Sequence, residues 1–403
     1  MKDTILDYFL KYVKIDTMSM EDQNVTPSTQ KQFDLANVLV NDLKELGIKN
    51  IELSKNCIVT GLLESNCNSK LHIGFLAHMD TIPGFSGTNV KPNIIKNYDG
   101  KIIKLNGIEL NPNQFPFMNK LKGKTLITTD GTTVLGADDK AGIANIMAML
   151  KYYKDHPEVK HVNIHVGFTP DEEIGEGVHA FDVKKFGCDF AYTVDGGDYN
   201  EINYENFNAS SCHVKINGLD IHPGSAKGQM KNASLILMEF NSLLPVNERP
   251  EFTDGYDGFN HLCDMKGSVG EAYASYIIRN HSKELLNKQK NDFINACNFI
   301  NNKYGENTCE INIKDTYSNM FELINKDPRC IDRAKAAIKK LGFTPSVSPI
   351  RGGTDGAHLT QMGLNTPNLG TGGYNCHGPY EFACLEEMEN VCNIIIEIAK
   401  ENE

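Results

Sequence analysis

Residues 161–177 read HVNIHVGFTPDEEIGEG. From Val162 to Phe168 apolar and polar residues alternate, the period of a β-strand with one face in a core. Three carboxylates, Asp171, Glu172 and Glu173, then follow without a gap. Like charges at the end of a buried strand repel one another, and burying them is costly unless a counter-charge is near. Two readings fit. The loop is a solvated turn, or it faces a site where one glutamate ligates a metal while its neighbour takes a proton from water. Asp171 reads most simply as a loop or helix-cap acid.

Working outward, LHIGFLAH (71–78) is a second short apolar run that ends in polar residues, His78 and, two positions on, Asp80. Side chains two apart on a strand share a face. Asp80 is therefore placed to hold the imidazole of His78 in one orientation. Between these two strands, DDKAGIANIMAMLKYY (138–153) sets Ile143, Ile146, Met147 and Leu150 on one helical face. A further strand, FAYTVD (190–195), ends in Asp195. Strands alternating with helices predict an α/β fold, a helix-covered mixed sheet. Sites in such sheets form at the carboxyl ends of strands. His78, Asp80, Glu172, Glu173 and Asp195 all fall at or just after such ends.

From about residue 208 the texture changes. SSCHVKING (210–218) is strand-like, NASLILMEFNSLL (232–244) helix-like, and AYASYIIRN (272–280) alternates. A long amphipathic helix over 281–304 and a strand CEINIKD (309–315) complete a compact α+β unit. The helix-then-strand rhythm resumes with RCIDRAKAAIKKLGF (329–343). The expected organisation is a catalytic domain of residues 1–207 plus 321–403, interrupted by a smaller inserted α+β domain, 208–320.

The bulk numbers agree with that plan. At 403 residues the chain exceeds one average domain and suits two. A net charge of −12 argues against nucleic acid or an anionic membrane as partner. No apolar run approaches the roughly 20 residues that span a bilayer. The N-terminal stretch, with Ile5, Phe9 and Val13 at helical spacing, is amphipathic and unlike a signal peptide. The 11 cysteines are odd in number and form no CxxC pair, which fits reduced thiols and a cytoplasmic location.

Two more segments carry chemistry. GADDKAG (136–142) puts two acids at a helix start, where exposed N–H groups favour acids in any case. In the functional reading Asp138 bridges two metals. GYNCHGPYE (373–381) supplies a second imidazole, His377. The glycine-rich runs around it lack the GxGxxG and Walker patterns of phosphate loops. Two histidines and three acids make an N/O donor set for two divalent ions. Zinc suits the set best, with manganese or cobalt as in vitro substitutes.

The combination is more specific than any member of it. LAHMDT (76–81), TTDGTTVLGADDKAGIA (128–144), FTPDEEIGEG, AYTVDGG, ENFNAS, IHPGSAKG, MKGSV, YIIRN, PIRGGTDGA and GTGGYNCHG run in order through nearly the whole chain. Together they resemble the dizinc exopeptidases, which include carboxypeptidase G and bacterial dipeptidases, and among them the peptidase T branch. The resemblance implies one zinc held by His78 and Asp195, a second held by Glu173 and His377, and Asp138 between them. It implies Glu172 as general base, Asp80 as the residue orienting His78, and a cis peptide bond after Asp138. The inserted domain is then a lid or a dimerisation domain, with a homodimer compatible with it. His222 would reach the scissile carbonyl oxygen, and Arg279 and Arg351 would contact the substrate carboxylate. The activity implied is release of the N-terminal residue of tripeptides by dizinc-activated water. The alternatives are a dipeptidase or N-acyl amino-acid deacylase with the same centre, or a binding module without catalysis.

Overall fold

The computed structural model describes residues 1–401. They divide into two compact units: 1–204 with 322–348 and 354–401, and 205–321 with 349–353. The sequence reading put residues 349–353 in the catalytic domain, but compactness groups them with the second unit. The reason is local. Arg351 lays its guanidinium over the rings of Phe207 and Phe259 and donates to the carbonyls of Gly255 and Asp257.

The first unit is built on an eight-stranded mixed sheet. Its strands lie in the order Lys49–Leu53, Val59–Leu63, Asn163–Thr169, His72–His78, Phe190–Gly196, Asn368–Gly370, Glu201–Asn203 and Ser346–Val347. The central strands are parallel: His72–His78 pairs with Asn163–Thr169 on one side and Phe190–Gly196 on the other. The outer pair Lys49–Leu53 and Val59–Leu63 is antiparallel. His72–His78 is buried at every position from Ile73 on, as expected of a parallel strand covered on both faces. Helix Ala137–Asp155 packs on it, with helices Lys2–Tyr12 and Leu385–Ala399 alongside. A further cluster, Leu76, Val178, Phe181, Phe186, Ala191 and Leu359, joins the sheet to segment 178–186 and helix Asp355–Gln361.

The parallel register sets the site. His78 lies opposite Thr169, so the loops that follow these two strands leave the sheet side by side. One carries Asp80 and the other Glu172 and Glu173. All 11 cysteines are free, and no helix among the described residues is long and apolar enough to cross a membrane.

The second unit has its own four-stranded antiparallel sheet, in the order Phe259–Gly267, Glu271–Asn280, Asn208–Asn217, Cys309–Tyr317. Buried residues alternate along Glu271–Asn280, the pattern of a sheet with one face in a core. Helices Ala233–Ser242 and Lys283–Tyr304 cover that face. Asn232 and Ser282 cap them by accepting from the amides of Leu235 and Leu285.

Candidate active site

His78 closes its strand with 2% of its surface exposed. Its Nδ1 lies 3.1 Å from the backbone oxygen of Asp80 and 3.3 Å from Asp80 Oδ1. Its Nε2 points at a group of acids: Asp138 Oδ1 at 2.8 Å, Asp195 Oδ1 at 3.6 Å and Glu172 Oε2 at 4.0 Å. Asp80 is fully buried and does a second job. Its two oxygens accept from the amides of Glu172 (3.0 Å) and Glu173 (3.2 Å). One carboxylate thus lies against the imidazole and accepts from two amides of the acidic loop.

Asp138 sits in the first turn of helix Ala137–Asp155 with non-helical φ and ψ, and the Asp138–Asp139 peptide bond is cis. Its carboxylate is two-armed. Oδ1 faces His78, while Oδ2 lies 3.1 Å from His377 Nε2. Glu173 Oε2 is 3.0 Å from the same His377 nitrogen. Asp139, buried, accepts from the backbone amides of His78 and Gly142 at 3.2 Å each. Asp195 is held at its amide, which donates to Asn368 Oδ1.

The electrostatics show how unbalanced this set is by itself. Burial, then Asp195, drives the Glu172 carboxyl well above its usual range. Burial pushes Glu173 and Asp195 to about 6. Around His78, burial opposes the charged imidazole, but Asp195, Asp138 and Asp80 outweigh it and raise the pKa well above the ordinary value. Hydrogen bonds to Asp138 and Glu173 push His377 up to about 10. Converging carboxylates and imidazole lone pairs need positive charge among them. The donor atoms of His78, Glu172 and Asp195, and those of His78, Asp138 and Glu173, each lie within 4.8 Å of one another. N and O donors so gathered fit divalent cations.

The acidic loop is therefore no solvated turn. Asp171, read from sequence as a loop or cap acid, is fully buried with φ +54°. It accepts from Ser28 N, Ser28 Oγ and Gln32 Nε2, each at 2.6 Å. Its side chain caps nothing; it ties the loop to the N-terminal segment.

Sequence reasoning missed three buried neighbours. Asp355 accepts from Thr169 Oγ1 at 2.6 Å. Lys140, 1% exposed, donates to the carbonyl of Ile15 at 2.8 Å. Glu381, 1% exposed, accepts from three backbone amides beside Asp138. Their signal was present, since each lies inside a quoted motif, but nothing local says that a charged residue there faces inward.

The structure brings His78, Asp80, Asp138, Glu172, Glu173, Asp195 and His377 together in the first unit. His222, Arg279 and Arg351 belong to the second. His222 is exposed, and its Nδ1 accepts from Gly224 N. Arg279 donates to the carbonyls of Ser210 and Ile278 and lies over Tyr317. Among the described residues, neither Arg279 nor Arg351 has a carboxylate within ion-pair distance.

Comparison with known proteins gives the family. Residues 131–401 match the peptidase family M20/M25/M40. Peptidase T of Caldanaerobacter subterraneus subsp. tengcongensis is 51% identical over 400 residues, 98% of either chain. The crystal structure of aminopeptidase PepT from Bacillus cereus shares the fold, with a TM-score of 0.79 at 21% identity over 99% of this chain and 98% of the other. A tripeptidase from Staphylococcus aureus gives the same TM-score, identity and coverage. With a two-armed aspartate between two imidazoles and a full-length relative at this identity, the chain belongs to the peptidase family M20/M25/M40.

Proposed function

We propose that the chain is a zinc-dependent aminopeptidase that removes the N-terminal residue of tripeptides. The observation that carries the reading is Asp138, whose two oxygens face two different imidazoles. A carboxylate so placed suits two cations side by side. His78 and Asp195 would hold one, Glu173 and His377 the other, and Asp138 both. When bound, the pair supplies Lewis acidity to water and to the scissile carbonyl.

The chain's own residues then have distinct tasks. Glu173 faces Asp138 and His377, so it is the ligand of the adjacent pair. Glu172 lies farther from His78 Nε2 than Asp195 does, which leaves its carboxylate to take the proton of the attacking water and deliver it to the leaving amine. Asp80 holds His78 at Nδ1 and the two glutamates by their amides. A short peptide held by both its amine and its carboxylate would be selected by length. For the substrate carboxylate the resemblance offers Arg279 and Arg351, neither of which has a carboxylate within ion-pair distance among the described residues. His222 is the candidate donor to the carbonyl oxygen.

The likeness to peptidase T supports a tripeptide substrate, and peptide length is what the experiment decides. A panel of di-, tri- and tetrapeptides and N-acyl amino acids, with and without chelator, is expected to show metal-dependent release of the first residue of tripeptides. Preference for dipeptides or acyl amino acids would reassign the substrate, and full activity in metal-free protein would remove the mechanism.

A further inference from the structure

Glu381 is a buried acid that the proposed reaction does not use. It lies four residues after His377, directly before strand Phe382–Cys384. Its Oε2 accepts from the amides of Leu135 (2.7 Å) and Gly136 (2.8 Å), and its Oε1 accepts from the amide of Asp138 (3.0 Å). Among the described residues no cation lies within ion-pair distance of it. Every side-chain bond it makes among the described residues goes to the backbone that leads into Asp138. These contacts tie together two segments that also meet at His377 and Asp138. One is the 375–381 loop, which presents His377 at φ +70°. The other is the turn before helix Ala137–Asp155, which presents Asp138.

We infer that Glu381 is a positioning residue that clamps the His377 loop to the Asp138 turn and so sets the span between these two side chains. The inference rests on the reading of His377 and Asp138 as metal-holding groups. The span is short, 3.1 Å from His377 Nε2 to Asp138 Oδ2, and His377 is half-exposed on its loop. Packing does little to hold the imidazole there, whereas three charge-assisted bonds hold the base of its loop. The two oxygens are both needed. An amide in their place presents one acceptor, so at least one of the three N–H groups would face another N–H. Partners one step behind a metal's ligands typically change affinity about 10–100-fold when altered.

The test is zinc titration of the metal-stripped full-length protein against a competing chromophoric chelator, for wild type, Glu381→Gln and Glu381→Asp. Wild type should bind two equivalents. Glu381→Gln should weaken at least one of them about 10-fold or more, and kcat should fall more than KM changes. Glu381→Asp keeps the charge but withdraws it by one methylene, and should weaken zinc in the same direction; it decides the matter if the glutamine variant does not fold. A lower unfolding midpoint with zinc affinity and kcat unchanged would make Glu381 merely structural and overturn the inference alone. Failure of wild type to bind two equivalents would overturn the metal-site reading, and the inference with it.

Discussion

Glu172 and Glu173 share a loop, yet their surroundings divide their work. Glu173 Oε2 touches His377, and Glu172 lies beside His78 and Asp195. Glu173→Ala should therefore lower metal stoichiometry together with rate. Glu172→Gln keeps shape and removes the base, so both metals should stay bound while kcat falls by at least ~10²-fold. Metal content measured beside kcat for the two variants checks this; Glu172→Gln with near wild-type kcat would show that another group takes the proton. The same pair shows the reach of sequence reading. Acids in a row after a buried strand announced a site, because their repulsion needs an explanation. Asp171, the first of the row, has its explanation in Ser28 and Gln32, more than a hundred residues away. No local pattern contains that contact.

At the scale of elements, helix Ala137–Asp155 lies against strand Phe190–Gly196 without room to spare. A Cβ on Gly142 would stand 1.9 Å from the carbonyl oxygen of Val194 and 2.5 Å from Asp139 Oδ1. Helix propensity alone would make Gly142→Ala stabilising by about 1 kcal/mol. The clash is with backbone and should win, destabilising by about 3 kcal/mol, the upper end of ordinary overpacking. Urea unfolding of the variant gives the sign. The strands His72–His78 and Asn163–Thr169 carry a second testable pair, His72 Nδ1 and His165 Nε2 at 2.8 Å. Burial, and then His72, hold the His165 imidazole down at about 4 against an ordinary 6.5. A base with its folded pKa below the unfolded one contributes stability above the unfolded value and loses it as pH falls towards the folded one. Stability should thus decline between about pH 6.5 and 4 as protons bind the unfolded chain. His165→Leu should make that decline shallower in urea titrations at stepped pH; an unchanged slope would exclude His165 as its source. Strand Phe259–Gly267 escaped the sequence reading for a related reason. It is an edge strand, mostly exposed, and carries no alternating apolar signal.

At the scale of the whole chain, each unit has a core of its own. That of the second gathers Cys212, Ile236, Phe240, Tyr276 and Phe293 around its sheet and two helices. Phe293 is fully buried, with ring centroids of Tyr276 at 5.0 Å and Phe240 at 6.1 Å. Phe293→Ala should cost that unit about 3–5 kcal/mol. Amide hydrogen exchange should then quicken along Lys283–Tyr304 and its sheet while Ala137–Asp155 and His72–His78 keep their protection. Equal loss in both units would mean that they unfold as one.

The sequence by itself marked the strands and the helix that carry the site's side chains. Periods of two and 3.6 residues mark strands and helices because each must turn one face to a core. The strand-end positions of His78, Asp80, Glu172, Glu173 and Asp195 follow from where those runs stop. Only the tertiary structure decided how the donors meet. The two arms of Asp138 acquire different imidazoles because His377 arrives from 239 residues away. Asp171 and Glu381 become internal struts because hydrogen-bond donors from distant segments surround them. Arg351 joins the second unit because two aromatic rings there accept its guanidinium. A buried charge is set by what surrounds it in space, and that environment is assembled only when the chain folds.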